Sequence, residues 1–305
     1  MQCDACRREA IVFQPYSGKH LCPEHFTRDF EAKAKRTIRA HGWTRPGDHI
    51  AVVFSGDAAG AALLSFLLGL TASRRDIRFS AVTIDPGITG YPVMERARAI
   101  TGASGVSWLP GSFAERYGIT MDELVRQEVW ESACRTCRVL AGDLAGEIAA
   151  AHGVTRCAFA TSVDETAESF FADFLAGTPE RTLFSRNPVG RSGIPAITPL
   201  MEIPAQEIAR YAELHAPDPG PCGFLPPFPC GSGSARAADA REVLDTYDHR
   251  HPATKFALAN LAGTLAGIAA KDRARSVCPA CGEPLAGGEC EACRIRRDFR
   301  RGVVS

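Results

Sequence analysis

Net charge is the first thing this sequence lacks. Its 35 basic residues offset 35 acidic ones, so the whole molecule exerts no pull on nucleic acid or on an anionic membrane, and any polyanion site must be a local patch. A long apolar run is also missing. No stretch reaches the roughly 18 consecutive apolar residues of a membrane span, and the opening MQCDACRREA has no apolar core of a secretory signal. A cytoplasmic protein with no membrane partner is expected. With 305 residues, 45% of them hydrophobic, the chain can bury a substantial core in one large or two modest domains.

Cysteine, by contrast, is plentiful. In a reducing compartment Cys-x-x-Cys pairs point to metal before disulfides. The twelve cysteines fall into three groups, and only Cys157, in the apolar run CAFA, stands alone as a core thiol. Near the N-terminus Cys3, Cys6, Cys22 and His25 are spaced C-x2-C-x15-C-x2-H. Each tight pair forms a knuckle offering two ligands to one tetrahedral ion, and the few apolar residues between them call for the folding free energy of a structural zinc. Near the C-terminus Cys278, Cys281, Cys290 and Cys293 are spaced C-x2-C-x8-C-x2-C, with glycines at the turns, the pattern of a second structural zinc. Four protein ligands leave neither ion an open position for catalysis. After them comes RIRRDFRR (294–301), which reads equally as a tracker of phosphate backbone or as a solvated terminus.

Between the two ends, strand and helix patterns alternate. Strands are expected at 49–54, 78–84, 105–109 and 155–160, and helices at about 58–70, 92–101 and 137–152. That order argues for a parallel sheet flanked by helices. Beyond about residue 200 the pattern is helical, at 204–214, 235–249 and 253–271. Ligands in such sheets sit beyond the carboxyl ends of the strands, so Ser55–Gly60, Asp85–Gly90 and Thr161–Glu165 should converge on one crevice. The turn in VFSGDAAG (53–60) sits where many α/β proteins hold a phosphate. Yet it has no lysine, and its one charge, Asp57, has the wrong sign. Cys134 and Cys137 open a helix where amide groups, Arg135 and Arg138 favour thiolates. With Cys222 or Cys230 from further along, they provide three thiolates for an iron–sulfur cluster with one iron free. A third zinc or a redox dithiol fits the same spacing.

These motifs, in this order, resemble the tRNA 2-thiolation family of the PP-loop ATP pyrophosphatase superfamily, in the branch with zinc fingers at both ends. The resemblance rests on both cysteine quartets, TIDPGITGY (83–91), YGITMDEL before CRTCRVL (117–140), FATSVDETAESFFADFLAG (159–177), ITPLMEIPAQEIARYA (197–212) and CGSGSARAADAREVLDTYDHRHPATKF (230–256). It implies a Rossmann-like PP-loop α/β fold divided as an N-terminal zinc finger (1–30), an α/β domain (31–200), a helical extension (201–273) and a C-terminal ribbon with an Arg-rich tail (274–305). It implies a 4Fe-4S cluster on Cys134, Cys137 and Cys230, with Cys230 selected over Cys222. ATP with Mg would adenylate C2–O of a tRNA uridine or cytidine, and sulfur would then displace AMP. The nucleotide residues carried over are Ser55, Gly56, Asp57, Gly60, Asp85, Gly87, Ile88, Asp164 and Glu165. Partners implied are tRNA, ATP and a sulfur donor such as a ubiquitin-like carrier protein, and a homodimer is compatible with it.

The family's PP-loop reads Ser-Gly-Gly-x-Asp-Ser. Here only Ser55 and Gly56 match, so a weakened phosphate grip is expected, and with it a second reading as a non-adenylating relative. Rebuilding the loop by Asp57→Gly, Ala58→Lys, Ala59→Asp and Gly60→Ser should then raise ATP affinity.

Overall fold

The computed structural model describes residues 1–71, 76–126, 133–178, 192–216, 235–272, 278–281 and 289–300. The chain begins with a short antiparallel ribbon, β1 (Val12–Gln14) and β2 (Lys19–Leu21). It leads into α1 (Pro23–His41), where Pro23 at the first helical position costs no hydrogen bond. The inward stripe of α1, Phe26, Phe30, Ala34 and Ile38, is buried.

The expected parallel sheet is present. Its strands are β3 (His49–Val53), β4 (Arg78–Asp85), β5 (Ser107–Ser112), β6 (Arg156–Ala158) and β7 (Ala196–Ile197). They are all parallel in the order β5-β4-β3-β6-β7. β5 begins two residues later than expected, and the two-residue β7 is too short to announce itself by pattern. β3 is buried on both faces, which is why IAVV reads as a continuous apolar run rather than an alternation. Ile50 and Val52 face a core shared with α1 and α2 (Ala58–Thr71), while Ala51 and Val82 face one shared with α6 (Ala133–Ala151). α2 is wedged between the sheet and α8 (Ala205–His215), so apolar residues surround its axis, with Ala61, Ala62, Leu63, Leu64, Phe66 and Leu67 all buried.

Shorter helices and the flanking crossovers complete this layer: α3 (Val93–Ser104), α4 (Phe113–Tyr117), α5 (Met121–Arg126) and α7 (Val163–Leu175). From β3 the chain steps outward to β4 and β5, then returns across the sheet to β6. The strand order reverses between β3 and β6, the switch point at whose carboxyl ends ligands bind in sheets of this kind. The later helices are α9 (Ala235–Arg250) and α10 (Thr254–Asp272), both packed on α7. The last element, α11 (Glu291–Arg300), packs on α6. Among the described residues, no helix is long and apolar enough to cross a membrane.

Candidate active site and metal centres

Both cysteine quartets close up as their spacing predicts. Cys3, Cys6, Cys22 and His25 bring their ligand atoms within 4.8 Å of one another, and so do Cys278, Cys281, Cys290 and Cys293. Neighbouring separations are 3.7 Å for Cys6 Sγ to Cys22 Sγ, 3.3 Å for Cys22 Sγ to His25 Nδ1 and 3.6 Å for Cys281 Sγ to Cys290 Sγ. A tetrahedron with Zn–S near ~2.3 Å has sulfurs ~3.8 Å apart, so both donor sets fit zinc. The two sites share one construction, in which the second knuckle is the start of a helix: Cys22 and His25 at α1, Cys290 and Cys293 at α11. Burial pushes the Cys3 thiol up, but backbone hydrogen bonds from Cys22, Ala5 and Cys6 outweigh it and bring the thiol down to about 6. The same opposition at Cys278, with Cys290, Ala280 and Cys281, leaves it at about 7.

The turn after β3 departs from a phosphate cradle in an informative way. The Asp57 carboxylate accepts from Ser55 Oγ at 2.6 Å and from Gly60 N at 2.7 Å. Asp57 therefore caps α2, and its oxygens hold two donors that a phosphate oxygen would use. Tyr91, from the loop after β4, donates its hydroxyl to Ser55 O at 3.0 Å and ties the two turns together. Gly56 has φ of 75° and lies so close to α3 that a Cβ there would sit 2.9 Å from Arg96 Cβ, so only glycine fits. A Cβ on Gly60 would come within 2.6 Å of the Phe54 ring. Replacement by the family's serine therefore requires Phe54 to move.

The remaining nucleotide candidates mostly build the crevice. Asp85 Oδ1 accepts from Gly87 N at 2.8 Å. A Cβ on Gly87 would strike Thr120 at 2.6 Å, and Ile88 is buried. Met121 N donates to Pro86 O at 2.8 Å, so TIDPGITGY and YGITMDEL form one unit. Glu165 makes a capping box with Ser162 at the start of α7. Asp164 accepts from Ala205 N at 2.7 Å and from Lys255 Nζ at 2.8 Å. Lys255 also meets Asp245 at 2.7 Å, while Glu168 pairs with Arg241 at 2.8 Å. This cluster fastens α9 and α10 to α7. The HPATKF motif does not by itself reveal the partners of Lys255, because its acids lie 10 and 91 residues away.

α6 begins at the carboxyl edge of the sheet, as a crossover helix between parallel strands must. Cys137 is buried there, and Arg138 Nη1 lies 3.9 Å from Glu165 Oε1 at the mouth of α7. This exposed pair links the second turn of α6 to the first turn of α7. The side chain of Cys134, and Cys222 and Cys230 entirely, lie outside the described residues.

Residues 2–27 match the family described as "2-thiouridine synthetase TtuA, N-terminal LIM domain". The chain is 25% identical over 321 aligned residues, 97% of its own length and 98% of the relative's, to "tRNA 2-thiolation protein NcsA" of Haloferax volcanii. It is 27% identical, covering 98% of itself and 88% of the relative, to "Cytoplasmic tRNA 2-thiolation protein 1" of Drosophila ananassae. The chain is thus similar to tRNA 2-thiolation proteins over nearly its whole length. A solved structure supports the fold: "U34-tRNA thiolase NcsA from Methanococcus maripaludis with its 4Fe-4S cluster" superposes with a TM-score of 0.76 at 19% identity, covering 98% of this chain and 96% of that one. Against these tRNA 2-thiolation relatives, the expected Rossmann-like α/β fold with a cysteine knuckle at each end stands.

Proposed function

We propose that the chain is a tRNA sulfurtransferase that replaces C2–O of a uridine or cytidine with sulfur. Its 4Fe-4S cluster is held by Cys134, Cys137 and Cys230, and structural zinc sits in each terminal quartet. The observation that carries the proposal is the contact of the CRTCRVL helix with the start of α7, through Arg138 and Glu165, in a chain similar throughout to tRNA 2-thiolation proteins. When bound, the cluster supplies the sulfur nucleophile. The chain's own residues orient the reaction. The start of α6 holds the thiolates, and the turn Ser55–Gly60, pinned by Tyr91, faces the nucleotide. tRNA, ATP with Mg and a sulfur donor in the cytoplasm are the partners of this reading, and sedimentation of the chain would test a homodimer.

The decisive experiment is nucleoside analysis of tRNA from a deletion strain. A 2-thionucleoside should disappear, return with the wild-type chain and stay absent with Cys137→Ala. Unchanged thionucleosides would sink the proposal. In the anaerobically reconstituted protein, Cys230→Ala should lose iron and Cys222→Ala should keep it; the reverse would exchange their roles.

One observation favours a second reading. Asp57 occupies the donors Ser55 Oγ and Gly60 N, which suits a relative that handles sulfur on tRNA without adenylating it. Release of pyrophosphate from ATP in the presence of tRNA separates the two: present for the first, absent for the second.

A further inference from the structure

We propose that Arg296 is a positioning residue for the Cys134–Cys137 pair, coupling the C-terminal cysteine knuckle to the helix that carries the pair. The proposal rests on the reading of those cysteines as cluster ligands. Sequence alone leaves RIRRDFRR as either a phosphate tracker or a loose end, but the segment is helical and docked. Ile295 is 1% exposed and enters the same core as Cys137, Leu140 and Leu144 of α6. Beside it, Arg296 Nη1 lies 3.0 Å from Asp143 Oδ2 and 3.4 Å from Glu147 Oε1. The Arg296 side chain is 13% exposed and that of Asp143 only 2%, so water does little to screen the pair.

The surroundings are built to hold it. The Tyr117 ring lies 5.7 Å from the Arg296 guanidinium, and its hydroxyl donates to Leu140 O at 3.1 Å. Arg116 of α4 engages both oxygens of Glu147, at 2.6 and 3.0 Å. Two elements, α4 and α11, therefore converge on one stretch of α6. Asp143 follows Cys137 by six residues, less than two helical turns, so a force there is felt at the pair. At its other end α11 starts from Cys290 and carries Cys293 in its first turn. The path runs from knuckle to α11, from α11 through Arg296 to Asp143, and along α6 to the cysteines. Without Arg296, the buried Asp143 loses the cation 3.0 Å away, a poorer balance of charge that loosens the hold on α6.

The test uses the full chain, reconstituted anaerobically, with Arg296→Ala, Arg296→Lys and the surface control Arg297→Ala, whose partner Glu289 lies outside α6. Zinc per chain, iron retained on exposure to air, and hydrogen exchange of α6 in iron-free protein are measured. Arg296→Ala should keep its zinc and melt cooperatively. It should lose iron roughly tenfold faster, the scale seen for outer groups around a metal, with faster exchange in the first turns of α6. Arg296→Lys, which restores a charge to Asp143, should recover most of the retention, and Arg297→Ala should match wild type. Wild-type iron retention and α6 exchange in Arg296→Ala would overturn the proposal. So would loss of zinc and of the cooperative melt, which would make the contact merely structural. If the wild-type chain takes up no iron, the cluster reading fails, and α6 exchange in Arg296→Ala still decides whether the clamp exists.

Discussion

At Asp57 a carboxylate holds Ser55 Oγ and Gly60 N, two donors of the kind a phosphate uses. Asp57→Asn keeps an oxygen for Gly60 N while removing the charge, and Ser55 can turn its hydroxyl to suit. ATP affinity by isothermal titration should then rise by about tenfold or more, ~1.4 kcal/mol. An unchanged affinity would mean that the carboxylate does not oppose phosphate. Gly60→Ser should behave differently. Its Cβ meets the Phe54 ring at 2.6 Å, and Phe54 is 3% exposed, so overpacking should cost ~1–3 kcal/mol of stability, read as a lower denaturation midpoint. The altered loop letters were legible in the sequence. That Asp57 caps α2, and that Phe54 fills the space beside Gly60, were not. Both facts depend on distances between residues that a pattern places only in order.

Among the elements, α10 is tied to α7 and α9 by a buried cation. Lys255 lies between Asp164 and Asp245, and burial, which alone would lower its pKa, is outweighed by those two carboxylates, which raise it. Lys255→Met leaves Asp164 and Asp245 without that cation, and should cost about 3 kcal/mol or more and loosen α9 and α10 from α7. Limited proteolysis should then cut within 235–272; an intact wild-type pattern would argue against the role. The same scale revises expectations for the arginine tail. Arg294, Arg296 and Arg297 each face a carboxylate, Arg296 deep in the contact with α6. Truncation after Cys293 should therefore lower the melting temperature by exposing Leu140 and Leu144, more than it flattens the salt dependence of tRNA binding. A slope lower by five phosphate contacts would restore the phosphate-tracking role.

For the molecule as a whole, the two knuckles are anchors rather than appendages. In the N-terminal one, Tyr16 donates to Glu207 of α8 and Lys33 of α1 reaches the same carboxylate at 3.0 Å, with Glu207 4% exposed. Tyr16 also packs on Phe256 of α10, ring centres 4.9 Å apart. Chelating zinc should therefore destabilise the α/β core along with the ends, moving the global melt rather than adding a separate small transition. Two resolved transitions in calorimetry would show independent modules instead.

The sequence by itself determined the parallel sheet, the two ligand quartets and the resemblance to tRNA 2-thiolation proteins. Each of these is written in local spacing: continuous apolar runs for strands buried on both faces, and two-residue gaps for knuckles. Only the tertiary structure decided what Asp57, Lys255 and Arg296 do. Their partners are set by how helices settle on one another, and a charge that reads as solvated in one dimension becomes a buried tie when an opposite charge is folded against it.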